Sequence, residues 1–99
     1  MSGEPSKHPV IMGSNLDEEK QALALAIATD AWTKNGCTNV LTQQYMDIRT
    51  TFNEKFGQSW NLMHSDYPVT EFFDWHYIQI KVGGSFMVLY RRPDLSKPI

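Results

Sequence analysis

An α+β domain, with two N-terminal helices packed on an antiparallel β-sheet, is the fold class the sequence predicts. Residues 17–35 and 41–56 repeat their apolar side chains at helical spacing, whereas residues 75–91 repeat them at every second position. Gly83 and Gly84 interrupt that alternating stretch, as a two-residue hairpin requires. The 99 residues suffice for one core and no more. We expect a single domain over residues 10–92, with flexible proline-containing tails at 1–9 and 93–99.

The elements follow in chain order. Val10, Ile11 and Met12 read as a short strand bounded by Gly13. Ser14, Asn15 and Asp17 offer N-caps, and Glu18 and Glu19 suit the positive end of a helix dipole. The first helix spans residues 17–35, about five turns or roughly 28 Å. It places Leu25, Ala28 and Trp32 on one stripe with Ala24, Ile27 and Ala31 beside them, and Gly36 is its natural C′ residue. Thr38 or Asn39 is expected to cap the second helix. That helix carries Leu41, Tyr45, Ile48, Phe52 and Phe56 on one stripe and turns Gln43, Gln44, Asp47, Arg49, Asn53 and Glu54 mostly to water.

Beyond Gly57 the period becomes two. Residues 60–64 read as a strand with Trp60 and Leu62 on one face, 65–68 as a turn, and 69–73 as a short strand with a free edge. A two-residue turn at Gly83–Gly84 sets Val82 against Ser85, Ile80 against Met87, Ile78 against Leu89 and Tyr77 against Tyr90. Ile78, Ile80, Val82, Met87 and Leu89 then face the helices. Trp75, Tyr77, Phe86, Val88 and Tyr90, with Gln79 and Lys81, form a second face too aromatic for water. A second chain is its expected cover.

Composition narrows the function. The net charge of −2 gives no basic surface for nucleic acid or an anionic membrane, and the aromatic strand face has only Lys81, Arg91 and Arg92 near it. The longest apolar run, residues 22–28, is far too short to span a bilayer, and the polar start lacks a signal-peptide core. Cys37, the single cysteine, fits a reducing compartment and follows a helix C-terminus, where the dipole disfavours a thiolate. His8, His64 and His76 stand at no ligand spacing with one another or with Cys37, so no metal or other cofactor is expected. Asp74 and His76 point to one strand face and could orient an imidazole, but no nucleophile accompanies them. Gly83–Gly84 has no helix behind it and is no phosphate cradle. No enzyme is indicated. A free strand edge beside an aromatic face suits strand addition by a peptide, or dimerisation.

Several segments resemble one family in order and spacing. Leu16-Asp17-Glu18-Glu19 is similar to the Met-Ser-Glu-Glu opening of the first helix in the smallest, dimeric class of dynein light chains, a class unrelated to the roadblock and Tctex light chains. The block from Phe52 through Trp60, Phe-Asn-Glu-Lys-Phe-Gly-Gln-Ser-Trp, resembles that family's Phe-Asp-Lys-Lys-Tyr-Asn-Pro-Thr-Trp. His76-Tyr77-Ile78, Val82-Gly83 and Met87-Val88-Leu89-Tyr90-Arg91 resemble its closing hairpin. The resemblance implies a homodimer that exchanges one strand, with two interface grooves that take extended peptides by strand addition. It implies a non-catalytic structural subunit of a dynein motor complex, with dynein intermediate chains and the same or a paralogous light chain as partners. The alternative is a general peptide-binding dimerisation hub outside dynein.

The sequence also departs from that pattern. The stretch from Trp60 to His76 is shorter and contains Pro68, which removes a ladder donor. Asn61 stands for a histidine, and Met12, Thr42 and Asp66 stand at basic groove positions. Gln79 and Lys81 replace two groove tyrosines, and Phe86 a small alanine. Such changes suit a divergent member specialised to one assembly, such as an axonemal dynein arm, in the cytoplasm and cytoskeleton of a cilium or flagellum. The partner-binding residues implied are Tyr67, Val69, Thr70, Phe72, Trp75, Tyr77, Gln79, Phe86 and Val88.

Overall fold

The computed structural model describes residues 8–37, 40–57, 59–70 and 75–92. Strand β1 (Val10–Ser14) leads into helices α1 (Glu18–Lys34) and α2 (Thr42–Phe56), followed by strands β2 (Asn61–Ser65), β3 (His76–Val82) and β4 (Ser85–Arg91). The strands form one antiparallel sheet in the order β1-β3-β4-β2. This is the α+β architecture expected, two helices on one face of an antiparallel sheet.

The hairpin of β3 and β4 is the centre of the sheet. Its register pairs Val82 with Ser85, Ile80 with Met87, Ile78 with Leu89 and Tyr77 with Tyr90, as the Gly83–Gly84 turn dictates. Gly83 adopts φ 62, a conformation that disfavours any side chain with a Cβ. Ile78, Ile80, Val82, Met87 and Leu89 are fully buried against the helices. Burying side chains of that size contributes about 1.5–3 kcal/mol each, which makes this inner face the main stabilising surface.

Helix α1 begins where Asp17 accepts a hydrogen bond from the Lys20 N–H at 2.9 Å. It ends in a Schellman arrangement. The Cys37 N–H donates to the Trp32 carbonyl and the Gly36 N–H to that of Thr33, with Gly36 at φ 74. The buried face is Ala24, Ala28, Ala31 and Trp32, so small side chains let the helix lie close to the sheet.

The start of α2 differs from the expectation. The helix begins at Thr42 with Leu41 in the cap position, and Thr38 and Asn39 lie outside the described residues. A leucine cannot cap, so Gln44 bends back and its Oε1 accepts from the Leu41 N–H at 2.8 Å. The Gln44 amide also donates to the Ala31 carbonyl at 3.2 Å, tying the start of α2 to the end of α1. Leu41 is 58% exposed rather than part of the stripe, whereas Tyr45, Ile48 and Phe52 are buried. Phe52 meets Trp60 edge-on, with ring centroids 4.8 Å apart at 89°.

Two strand expectations are also corrected. β1 extends through Gly13 to Ser14, because a bulge between Ile11 and Gly13 absorbs Met12 and restores pairing with β3. Val69 and Thr70 belong to no strand, and residues 71–73 lie outside the described residues. Among the described residues the free edges of the sheet are therefore those of β1 and β2. Pro9 is buried, and the His8 ring lies 5.1 Å from that of Trp32.

Two outcomes test this account. Gly83→Val should lose roughly 2 kcal/mol or more of unfolding free energy, since a left-handed L-residue costs about 1–2 kcal/mol and a β-branched one more. A denaturant midpoint equal to wild type would contradict the turn. At Asp17, the Lys20 N–H holds the carboxyl below its ordinary 3.8, with the Lys20 ammonium adding to the effect. A depressed folded-state value means that the stabilisation is present above 3.8 and is lost as pH falls through the lower folded value. Asp17→Asn keeps a capping oxygen but not the charge, so it should lose part of the neutral-pH stability and flatten the acid limb of the melting profile.

Candidate functional site

Two surfaces flank the sheet. The first is the outer face, opposite the helices, carrying Tyr77, Gln79 and Lys81 from β3 and Phe86, Val88 and Tyr90 from β4. Just before β3, Trp75 packs on Tyr90 with ring centroids 5.4 Å apart. At the far end the Lys81 ammonium sits 5.9 Å from the Phe86 ring, a cation–π pair across the ladder. Between these ends Gln79 and Val88 stand opposite one another and are buried, at 7% and 0% exposure.

The centre of this face, at Gln79 and Val88, is covered within one chain, while Trp75, Tyr77, Phe86 and Tyr90 around it stay half-buried. After β2 the Ser65 hydroxyl accepts from the Tyr67 N–H at 3.1 Å and turns the chain. Pro68 follows, and Val69 then meets Gln79. The Val69 N–H donates to Gln79 Oε1 at 2.7 Å, and Gln79 Nε2 donates to the Val69 carbonyl at 2.8 Å.

The second surface is the unpaired edge of β2. Asn61 through Ser65 pair with Tyr90 through Phe86 without interruption, leaving a regular five-residue edge open on the other side among the described residues. Leu62 and His64 face α2, where the His64 ring stacks on Tyr45 at 4.5 Å and 11°. Thr42, Tyr45, Met46, Arg49, Leu62 and His64 line a groove of about 180 Å³ beside that edge. Met46 on the helix and Met63 on the strand are 48% and 36% exposed, so flexible apolar side chains border the edge on both sides. Burial raises the Tyr45 phenol above its ordinary 10.0, and the ring stays neutral at physiological pH.

The architecture has counterparts among solved structures. The dynein light chain-like domain of the Fasciola hepatica calcium binding protein FhCaBP2 superposes with a TM-score of 0.71 in its native form, at 14% identity, covering 93% of this chain and 100% of that one. Its mercury derivative gives 0.69 at 14% identity, with 94% and 100% covered. The dynein light chain-like domain of CsTAL3 gives 0.62 at 17% identity, with 88% and 97% covered. The fold is that of a dynein light chain-like domain. No protein-family model matches the sequence, and no curated protein sequence matches it significantly.

Within this fold the expected partner-binding residues separate into groups. Tyr67 is 76% exposed and Thr70 is exposed, whereas Val69 is half-buried on Gln79. Trp75, Tyr77 and Phe86 are half-buried on the outer face, and Gln79 and Val88 lie beneath it. Phe72 lies outside the described residues, as does Asp74, so the Asp74–His76 pairing has no described geometry. The groove beside β2 was not among the expected residues. Leu62 and His64 share a face by simple alternation, but only the fold brings them against Tyr45 and Met46. Among the described residues no helix is long and apolar enough to cross a membrane.

The edge strand is positioned by Asn53, which sequence alone turned to water. Its Oδ1 accepts from the Trp60 N–H at 2.9 Å and its Nδ2 donates to the Trp60 carbonyl at 3.2 Å, fixing the entry to β2. Asn53→Leu should cost roughly 1–3 kcal/mol by leaving both Trp60 groups without that partner. Chemical denaturation checks this, and an unchanged midpoint would show that the clasp does not set the strand.

Proposed function

We propose that the chain is a non-catalytic binding subunit that joins other polypeptides by adding a strand to the free edge of β2. The observation that carries this reading is the regular, unpaired β2 ladder beside a groove lined by Tyr45, Met46, Leu62 and His64. An exposed ladder supplies sequence-neutral backbone hydrogen bonds, and the adjoining groove supplies side-chain selectivity. The edge of β1 is less suited, because its bulge breaks the spacing of outward-facing groups.

The assembly we propose is a dynein motor complex, with intermediate-chain segments and the same or a paralogous light chain as partners. The resemblance of Leu16–Glu19, the Phe52–Trp60 block and the closing hairpin supports it, together with the shared fold. Replacement of groove tyrosines by Gln79 and Lys81, and of an alanine by Phe86, favours one dedicated assembly, for which we propose an axonemal arm, over a general hub. Copurification from native ciliary or flagellar material separates the two: dynein intermediate chains alone, or many unrelated clients.

Met46→Glu combined with Met63→Arg tests the edge. Both positions are solvent-accessible, so unfolding free energy should change by less than about 0.5 kcal/mol per site. Self-association and intermediate-chain capture should weaken about tenfold or more, the effect of some 1.4 kcal/mol at the interface. Sedimentation and copurification that match wild type would remove the β2 edge from consideration.

A further inference from the structure

Gln79 makes two hydrogen bonds of an unusual kind. A primary carboxamide carries one donor and one acceptor side by side, and here both engage a single residue, Val69, at 2.8 and 2.7 Å. That reciprocal pair is the one by which two directly opposed residues meet in an antiparallel ladder. The side chain of Gln79 therefore occupies the backbone groups of Val69 as an incoming strand would. It does so from the centre of the outer face, where Gln79 is 7% exposed and the paired Val88 is fully buried.

Little else fastens the segment among the described residues. Asp66, Tyr67, Pro68 and Thr70 are all exposed, and the Tyr67 N–H bond to the Ser65 hydroxyl forms the turn that starts it. Among the described residues the segment is thus held at one half-buried point, by two bonds to one side chain, and such a hold is releasable.

We infer that Gln79 is an internal latch, holding residues 66–70 against the outer face of their own sheet and keeping the isolated chain in a closed form. The inference rests on the strand-addition reading for its consequence and on the Val69–Gln79 geometry for itself. Any association that draws residues 66–70 away from this face must break both bonds. It leaves the Gln79 carboxamide needing a replacement donor and acceptor, because a buried amide without partners is costly.

The full-length chain, dilute enough to be monomeric, supplies the test. Amide exchange at Val69 is measured in wild type, in Gln79→Met, which keeps length but neither bond, and in Gln79→Glu, which keeps the acceptor and loses the donor. Wild type should protect the Val69 amide roughly thirtyfold over an unstructured chain, Gln79→Met should abolish that protection, and Gln79→Glu should fall between. Sedimentation should then show self-association strengthened about tenfold in Gln79→Met, because the closed form no longer competes. A Val69 amide that exchanges freely in wild type, or equally slowly in Gln79→Met, overturns the latch. If Gln79→Met melts early, the Gln79→Glu comparison decides in its place. Lost protection without stronger association shows that the latch does not oppose assembly and overturns that part of the inference. Failure of the strand-addition reading itself is seen separately, as indifference to Met46→Glu and Met63→Arg.

Discussion

The register of the β3–β4 hairpin is the constraint on which the rest of the structure depends. Side chains alternate with a period of two, so a slip of one residue would carry Ile78, Ile80, Val82, Met87 and Leu89 from the helix side to the opposite face. The turn at Gly83 prevents that slip locally. Everything else docks onto the result. β1 pairs along one side of the hairpin, β2 along the other, and α1 and α2 cover the inner face through Ala24, Ala28, Trp32, Tyr45, Ile48 and Phe52. Both outer strands inherit their register from this pair, so the edge presented at β2 is as well defined as the hairpin itself.

Where the chain leaves regular pairing, carboxamides take over the role of the ladder. Asn15 accepts from the Tyr77 N–H at 2.9 Å and donates to the Trp75 carbonyl at 2.7 Å, fixing the entrance to β3. Asn53 does the same for Trp60 at the entrance to β2. Gln79 does so for Val69 between the two strands. Each uses an amide side chain to engage a backbone N–H and C=O at the margin of the ladder, in keeping with the requirement that peptide groups withdrawn from water be paired. In a small sheet with two edges, these clasps decide where irregular chain lies and which edge stays open.

The two edges differ for a physical reason. A bulge at Met12 shortens the regular run of β1 and turns its outward groups out of step, a common way of blunting an edge. β2 has no such interruption, and the aromatic stack of His64 on Tyr45 lies beside it. A sheet blunted on one side and regular on the other offers backbone pairing on one side, the asymmetry on which the proposed strand addition rests.

Local physics made much of this legible in the amino-acid order. The alternation from Trp75 to Arg91 and the glycine turn determined the hairpin, its register and its inner face, since strand periodicity and a positive φ are properties of neighbouring residues. The helices were equally plain from Asp17, Gly36 and the spacing of Tyr45, Ile48 and Phe52, although Leu41 turned outward because Gln44 moved the helix start. The sequence by itself also shows that His8, His64, His76 and Cys37 stand at no short ligand spacing with one another. Tertiary structure alone decided how the outer face is covered. Nothing in the order of residues shows that Gln79 and Val69, or Asn53 and Trp60, will meet, because an amide on a strand or helix face reads as solvated until the fold brings a backbone group to it. The groove at β2 likewise exists only once His64 and Leu62 are set against Tyr45 and Met46. Contacts of this kind depend on positions distant in the chain, and the physics that fixes them is the burial of polar groups, which acts only after the core has formed.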